Sequence, residues 1–269
     1  MQIRITRYAL LAACLLFSAC NPKTREAKEL RNKCNAGDMQ ACDAFGGRLI
    51  KGEYVLRDPH GAAVAFEKAC GAGVASSCAE LGNQYQGGAG VERDSARAVQ
   101  LHQRGCDGGA MKGCTALGVA YMRGAHVPRD PVRAATLLER ACTGSDMQAC
   151  NHLGALYAGV EGMAPDYNRA ASYFRQACDK KVLAACVGLG RLHVVGNGVE
   201  RNEARAAELF RQSCWVDGDT DVGEGCFYLG QLYTNGQGVS QNVDSAAYLK
   251  RRACDLAYQP ACPKPESRS

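Results

Sequence analysis

Sulfur is the reactive element this sequence offers in quantity, with 16 cysteines among 269 residues. Fourteen fall into close pairs: Cys34 with Cys42, Cys70 with Cys78, Cys106 with Cys114, Cys142 with Cys150, Cys178 with Cys186, Cys214 with Cys226, and Cys254 with Cys262. Cysteine can ligate a metal, attack an electrophile or form a disulfide. Zinc ligands usually stand two to four residues apart and need a second pair or a histidine couple nearby. Here the pair members are eight or twelve positions apart, and no second couple recurs with each unit. Evenly placed cysteines in every unit also suit structure better than catalysis. Joining each close pair uses all fourteen, whereas bridging Cys78 to Cys106 and so on along the chain strands Cys34 and Cys262. The pattern therefore predicts seven local disulfides, no metal and no cofactor. A chain so rich in cysteine belongs in an oxidising compartment.

The elements that hold these cysteines repeat with them. From Cys34 to Cys214 the first member of each pair recurs every 36 residues, a period that marks stacked supersecondary units. Each unit carries two helical patterns. In the first helix a large apolar residue and a glycine come three and four positions after the cysteine: Phe45-Gly46, Leu81-Gly82, Leu117-Gly118, Leu153-Gly154, Leu189-Gly190 and Leu229-Gly230. Leu49, Tyr85, Tyr121, Tyr157, His193 and Tyr233 follow at position seven, so the three offsets share one helix face and form the buried stripe. A glycine inside a helix costs about 1 kcal/mol relative to alanine. Its recurrence six times predicts close approach of the neighbouring helix. The second helix opens on Asp58, Asp94, Asp130, Asp166, Asn202 or Asn242, side chains that cap free backbone amides. A small residue follows four positions later: Ala62, Ala98, Ala134, Ala170, Ala206 or Ala246.

Residues 1–19 combine basic Arg4 and Arg7 with a short apolar run, which reads as a signal peptide and is too short to span a bilayer. The run ends at Ser18-Ala19-Cys20, a pattern similar to a bacterial lipobox, so Cys20 is the expected lipidation site. A tether and capping helix occupy 20–34. Six repeats with a terminal stub occupy 35–262, and a flexible tail 263–269. Without Arg4 and Arg7, 30 basic residues face 27 acidic ones, too small an excess to suggest nucleic acid, which needs a clustered basic face. The link Gly196-Asn197-Gly198-Val199 follows no strand and has no lysine in register, so it reads as a turn and not a phosphate cradle. The last repeat carries an insertion after Cys214 with Trp215, Asp217, Asp219 and Asp221. It lacks the remainder of a calcium loop and reads as a solvated turn.

The recurring order of Leu-Gly, Tyr, Gly-Val, Asp, Arg-Ala and Ala-Cys, as in Leu81-Gly82, Tyr85, Gly90-Val91, Asp94 and Arg97-Ala98, closely resembles the Sel-one-like repeat, a relative of the tetratricopeptide repeat. Two cysteines per unit resemble the cysteine-rich secreted branch known from Helicobacter. Departures are Leu49 and His193 for the tyrosine, His126 for the Gly-Val glycine, Lys250 at an aromatic position, and the insertion. The resemblance implies an all-α fold, a right-handed α/α superhelical solenoid of disulfide-linked 36-residue helix-turn-helix repeats. It also implies one of two functions: an interaction scaffold of the bacterial cell envelope, periplasmic, outer-membrane lipoprotein or secreted, or a penicillin-binding protein with weak β-lactamase activity.

For the scaffold, the face of each first helix opposite its stripe is the expected contact surface. Positions two, five and nine after the cysteine place Glu80, Asn83, Arg123, His152, Arg191, Tyr228, Gln231 and Asn235 on it. The expected partner is a protein, with a peptidoglycan-like fragment or β-lactam as the small-ligand alternative and the membrane reached by a lipid anchor only. For the hydrolase, Ser-x-x-Lys and Lys-Thr-Gly are absent, and Ser145-Asp146-Met147 stops short of Ser-Asp-Asn. His60, His102, His126, His152 and His193 are scattered with no metal-hydrolase motif. His193 reads as a packed core residue. The sequence thus points to a non-catalytic scaffold.

Overall fold

Each second helix starts on the same hydrogen bond. Asp58, Asp94, Asp130, Asp166, Asn202 and Asn242 accept through Oδ1 from the backbone N–H three residues on, at 2.8–3.1 Å. The backbone N–H of each cap in turn donates to the carbonyl of the stripe residue in the preceding helix, from Asp58 to Leu49 through Asn242 to Tyr233. Pro59 and Pro131 occupy the first helical turn, where a missing N–H is harmless. The chain is thereby reversed at a fixed place in every unit.

The computed structural model describes residues 22–159, 163–215 and 222–262. The expected signal peptide, Cys20, Asp217, Asp219, Asp221 and the tail lie outside the described residues. Among the described residues there are thirteen α-helices and no strand. They are α1 Pro22–Asn35, α2 Met39–Lys51, α3 Pro59–Gly71, α4 Ala75–Gly87, α5 Ser95–Asp107, α6 Met111–Arg123, α7 Pro131–Thr143, α8 Met147–Tyr157, α9 Tyr167–Asp179, α10 Leu183–Val195, α11 Glu203–Cys214, α12 Val222–Asn235 and α13 Val243–Asp255, followed by a short 3-10 turn at Gln259–Ala261. No described helix is long and apolar enough to cross a membrane.

The chain divides into two compact units, Met1–Leu117 and Gly118–Ser269. In the first, α1 to α4 each pack on the next helix in chain order. In the second, α7 to α13 do the same, and the first helices α8, α10 and α12 also touch in succession. Neighbour-on-neighbour packing of this kind is that of an all-α solenoid.

All seven close cysteine pairs are bonded, with Cα atoms 4.5–4.9 Å apart. Each bridge ties the end of one second helix to the start of the following first helix, or, for Cys254–Cys262, to the terminal turn. Twelve of the fourteen cysteines are buried, so they also serve as the small apolar contacts of the junctions. Seven disulfides place the chain outside the reducing cytoplasm.

The expected close approach of helices at the repeated glycine is met, and its partner is now visible. A Cβ on Gly46 would lie 2.6 Å from the Phe66 ring, and on Gly154 2.4 Å from Phe174. His102, Leu138 and Phe210 stand likewise against Gly82, Gly118 and Gly190. In the last repeat Lys250 takes the place of this bulky residue, and a Cβ on Gly230 would meet Ala246 O and Leu249 Cβ at 3.3 Å and Lys250 Cγ at 3.5 Å, a looser contact. The cap-plus-four alanines are all 0–4% exposed, leaving no room for a larger side chain.

Within the disulfide loops the third residue after the first cysteine turns left-handed. Gly37, Gly73 and Gly109 hold φ of 90–97°, and Ser145, Lys181 and Ala257 hold 62–71° at the same register. A side chain in that region costs about 1 kcal/mol, and Lys181 is exposed. Lys181→Gly is therefore expected to raise stability by about 0.5–1 kcal/mol despite the looser unfolded chain. A urea midpoint that falls instead would show that the turn carries no strain.

Candidate interaction surface

With positions three and four turned inward and position seven buried or half-buried, each first helix presents positions two, five, eight and nine to the other side, with position one at the border. In the first unit, Asp43, Ala44, Gly47, Ile50 and Lys51 of α2 face Ala79 and Glu80 of α4 across an open groove of about 530 Å3. Met111 and Lys112 close its far end. The floor is apolar and the edges carry both signs of charge. One rung along it joins α2 to α4, and a second joins α4 to α6. Asp43 accepts from Ser76 Oγ at 3.0 Å and from the buried Ser77 Oγ at 2.6 Å. Glu80 pairs with Lys112 Nζ at 2.7 Å. Of the residues expected from sequence, Glu80 lies in the groove and Asn83 stands beside it, donating to Glu80 at 3.4 Å.

Asn83 also accepts from His102 Nε2 at 3.0 Å. His102 is buried where four other repeats place Phe or Leu, and burial pulls its pKa down from 6.5 to about 4, against an opposite pull from Glu80. The folded form thus holds it neutral while the unfolded chain takes up a proton below 6.5. Stability is fully present above pH 6.5 and is lost as pH falls through this window toward 4, by on the order of 3 kcal/mol. Thermal melts across that range are expected to show this loss, and His102→Leu should flatten it, as Leu138 fills the same slot in the next repeat. An unchanged slope in the variant would assign the loss to other groups.

In the second unit the expected residues are placed less uniformly. Arg123 is exposed and His152 half-buried. The His152 pKa is lowered by burial first and by the Arg123 charge second, with Asp146 opposing. Arg191 lies 5.4 Å from the Tyr228 ring and 3.8 Å from the Glu224 carboxylate. Tyr228 is half-buried and stacks on Phe210 at 5.4 Å, edge-on to Phe227 at 5.5 Å. Much of that ring is packing surface. Beside it, burial and then Glu224 push the Tyr258 hydroxyl up to about 12. Gln231 is exposed, and Asn235 donates to Gln237 within its own turn at 3.2 Å.

The residues weighed for hydrolysis are engaged in local structure. Ser145 is a left-handed turn residue and Asp146 caps α8 through Gln148 N. His60 and His193 each hold a backbone carbonyl, of Gly90 and Glu200, at 3.0 Å. His193 is half-buried and not the packed core residue its place in the stripe suggests: its Nδ1 reaches the turn carbonyl, which draws the ring toward the surface. No histidine lines the groove.

The family model of the Sel1 repeat matches residues 75–109, 112–146, 148–182, 183–214 and 223–258, more than half of the sequence. The chain belongs to the Sel1 repeat family. The α2–α3 hairpin lies outside the five matched Sel1 segments yet has the same cap and the same glycine-to-phenylalanine contact. The fold is similar to that of a protective antigen of uropathogenic Escherichia coli with an SLR fold, at 26% identity and a TM-score of 0.71 over 87% of this chain. The chain spans about half the length of that antigen, 50%. A Sel1 repeat protein of Oxalobacter formigenes is similar at 21% identity and a TM-score of 0.72, over 86% of this chain and 99% of that one. Cysteine rich protein B of Helicobacter pylori aligns at 25% identity over 52% of this chain and 97% of that one, with a TM-score of 0.39. No curated protein matches the sequence. Sel1 repeat proteins generally mediate protein–protein interactions.

Two charged contributors to the groove escape a reading based on positions two, five and nine: Asp43 at position one, and Lys112, two residues before Cys114. Their signal is present as Asp43 with Ser76 and Ser77, and Glu80 with Lys112, all 32–34 residues apart. That separation is slightly less than one repeat, the offset between facing positions on successive first helices.

Proposed function

We propose that this Sel1 repeat chain is a non-catalytic scaffold of the bacterial cell envelope, held to a membrane through an acylated Cys20, that captures a protein partner along its first-helix face. The observation that carries the reading is the groove between α2 and α4. It has an apolar floor and a charged, hydrogen-bonded rim, the makeup of a protein contact surface. The Asp43 bonds to Ser76 and Ser77 tie α2 to α4, so little ordering is needed on binding. The residues proposed to meet the partner are Glu80 and Asn83 in the first unit, and Arg123, His152, Arg191, Tyr228, Gln231 and Asn235 in the second.

A photo-crosslinking residue at exposed Ala44, on the groove, is expected to trap one protein in intact cells, and the same residue at exposed Val132, on a second helix, is not. Lys51→Glu with Glu80→Lys should weaken that capture about tenfold through the altered charge pattern. Equal trapping from both positions, or capture unmoved by the charge reversal, removes the groove from the account. Turnover of a chromogenic cephalosporin by the purified chain above buffer background would overturn its non-catalytic part.

A further inference from the structure

Trp215 and Tyr248 stand out when the repeats are laid over one another. The residue after the first cysteine is Asn35, Gly71, Asp107, Thr143, Asp179 or Asp255 elsewhere, and only here tryptophan. Six residues past the cap the other repeats have Val64, Gln100, Thr136, Ser172 or Glu208, and only here an aromatic ring. The other repeats form the same helix pair with no ring at either position. Here the two rings meet, with centroids 6.2 Å apart and planes within 20°, while remaining 51% and 46% exposed. Trp215 is also held. Arg252 lies 4.9 Å from its ring and donates through Nε to Cys214 O at 3.3 Å, next to the Cys214–Cys226 bridge.

Beside this platform is a cleft of about 420 Å3 in the second unit. Leu229 and Leu249 form its apolar part, and Arg211, Tyr233, Asp244 and Ser245 supply donors and acceptors around it. Its size lies within the range of small-ligand clefts, about 300–1,000 Å3. We propose that the Trp215–Tyr248 platform is a binding site for a neutral oligosaccharide, with a sugar ring lying on the aromatic faces and its hydroxyls reaching Asp244, Ser245, Tyr233 and Arg211.

The chemistry selects this ligand. A pyranose has an apolar C–H face that fits the electron-rich face of an aromatic ring, and an equator of hydroxyls that both donate and accept. A rim with one carboxylate, one guanidinium and two hydroxyls answers such an equator. A proline-rich peptide uses aromatic grooves too, but it has no backbone N–H at its prolines to meet Asp244.

Trp215 is the single tryptophan of the chain, so its emission reports this site alone. Titration of the full chain with the β-1,4-linked trimer of N-acetylglucosamine, with cellotriose and with maltotriose is expected to give a saturable change in emission for at least one of them. Tyr248→Ala, which removes an exposed ring, should weaken that binding about tenfold with an unchanged melting temperature. Asp244→Asn should weaken it as well and leaves the platform intact. The proposal is overturned if no trimer gives a saturable change, if binding survives Tyr248→Ala unaltered, or if only decaproline or phosphatidylglycerol vesicles move the emission.

Discussion

Reduction of the seven disulfides is expected to abolish the cooperative fold at room temperature, with loss of the helical circular dichroism signal in a reductant without denaturant. Each bridge closes a short loop of eight or twelve sequence steps, and a loop of that length stabilises by about 2–3 kcal/mol in the chain-entropy model. Several such contributions exceed the whole stability margin of an ordinary domain, about 5–15 kcal/mol. The core cannot make up the difference, because much of it is small. The junction at the first repeat consists of Cys34, Cys42 and Ala69, with Met39 and Val74 packed against it among the described residues. Breaking the bridge there removes the contact together with the tether. An unreduced and a reduced sample with the same urea midpoint would refute the claim that the covalent junctions hold the stack. A peptide mass map showing bridges between more distant cysteines would refute their assignment.

Replacing Phe210 by alanine is expected to cost about 3–5 kcal/mol. The ring is 1% exposed and lies in a cluster with Val187, Leu229 and Leu232. Its edge lies against Gly190, where a Cβ would come within 2.5 Å of the ring, and its face stacks on Tyr228. The same geometry predicts a change of sign at the glycine. Gly190→Ala alone overfills the contact and should destabilise by about 1–3 kcal/mol. With Phe210 already truncated, the added methyl has space and gains about 1 kcal/mol of helix propensity. The double variant is therefore expected to be more stable than Phe210→Ala alone, a coupling that denaturant titration of the four proteins measures directly. Equal destabilisation by Gly190→Ala in both backgrounds would show that the phenylalanine is not what excludes a side chain there.

What the sequence alone determined was everything that repeats. The period, the cysteine pairs, the caps from Asp58 to Asn242, the inward stripe and the tight glycines are local patterns, and each is written six or seven times in one chain. Chemistry within one helix turn or one nine-residue loop suffices to read them. The partner of the glycine was not legible, because periodicity names the face of a helix and not the residue opposite it. Only the packed hairpin put Phe66, Phe174 and Phe210 there, and let His102 take the slot in one repeat with Asn83 as its hydrogen-bond partner.

The tertiary structure decided the rest through the offset between successive repeats. That offset sets Asp43 against Ser76 and Ser77, and Glu80 against Lys112, and so forms a groove from positions that no single helix marks as special. It also turns Tyr228, chosen as a surface residue, largely into packing against Phe210. It brings Trp215 to Tyr248 across 33 residues. Such contacts depend on how one hairpin stacks on the next, which is a property of the shared interface and not of either sequence segment taken alone.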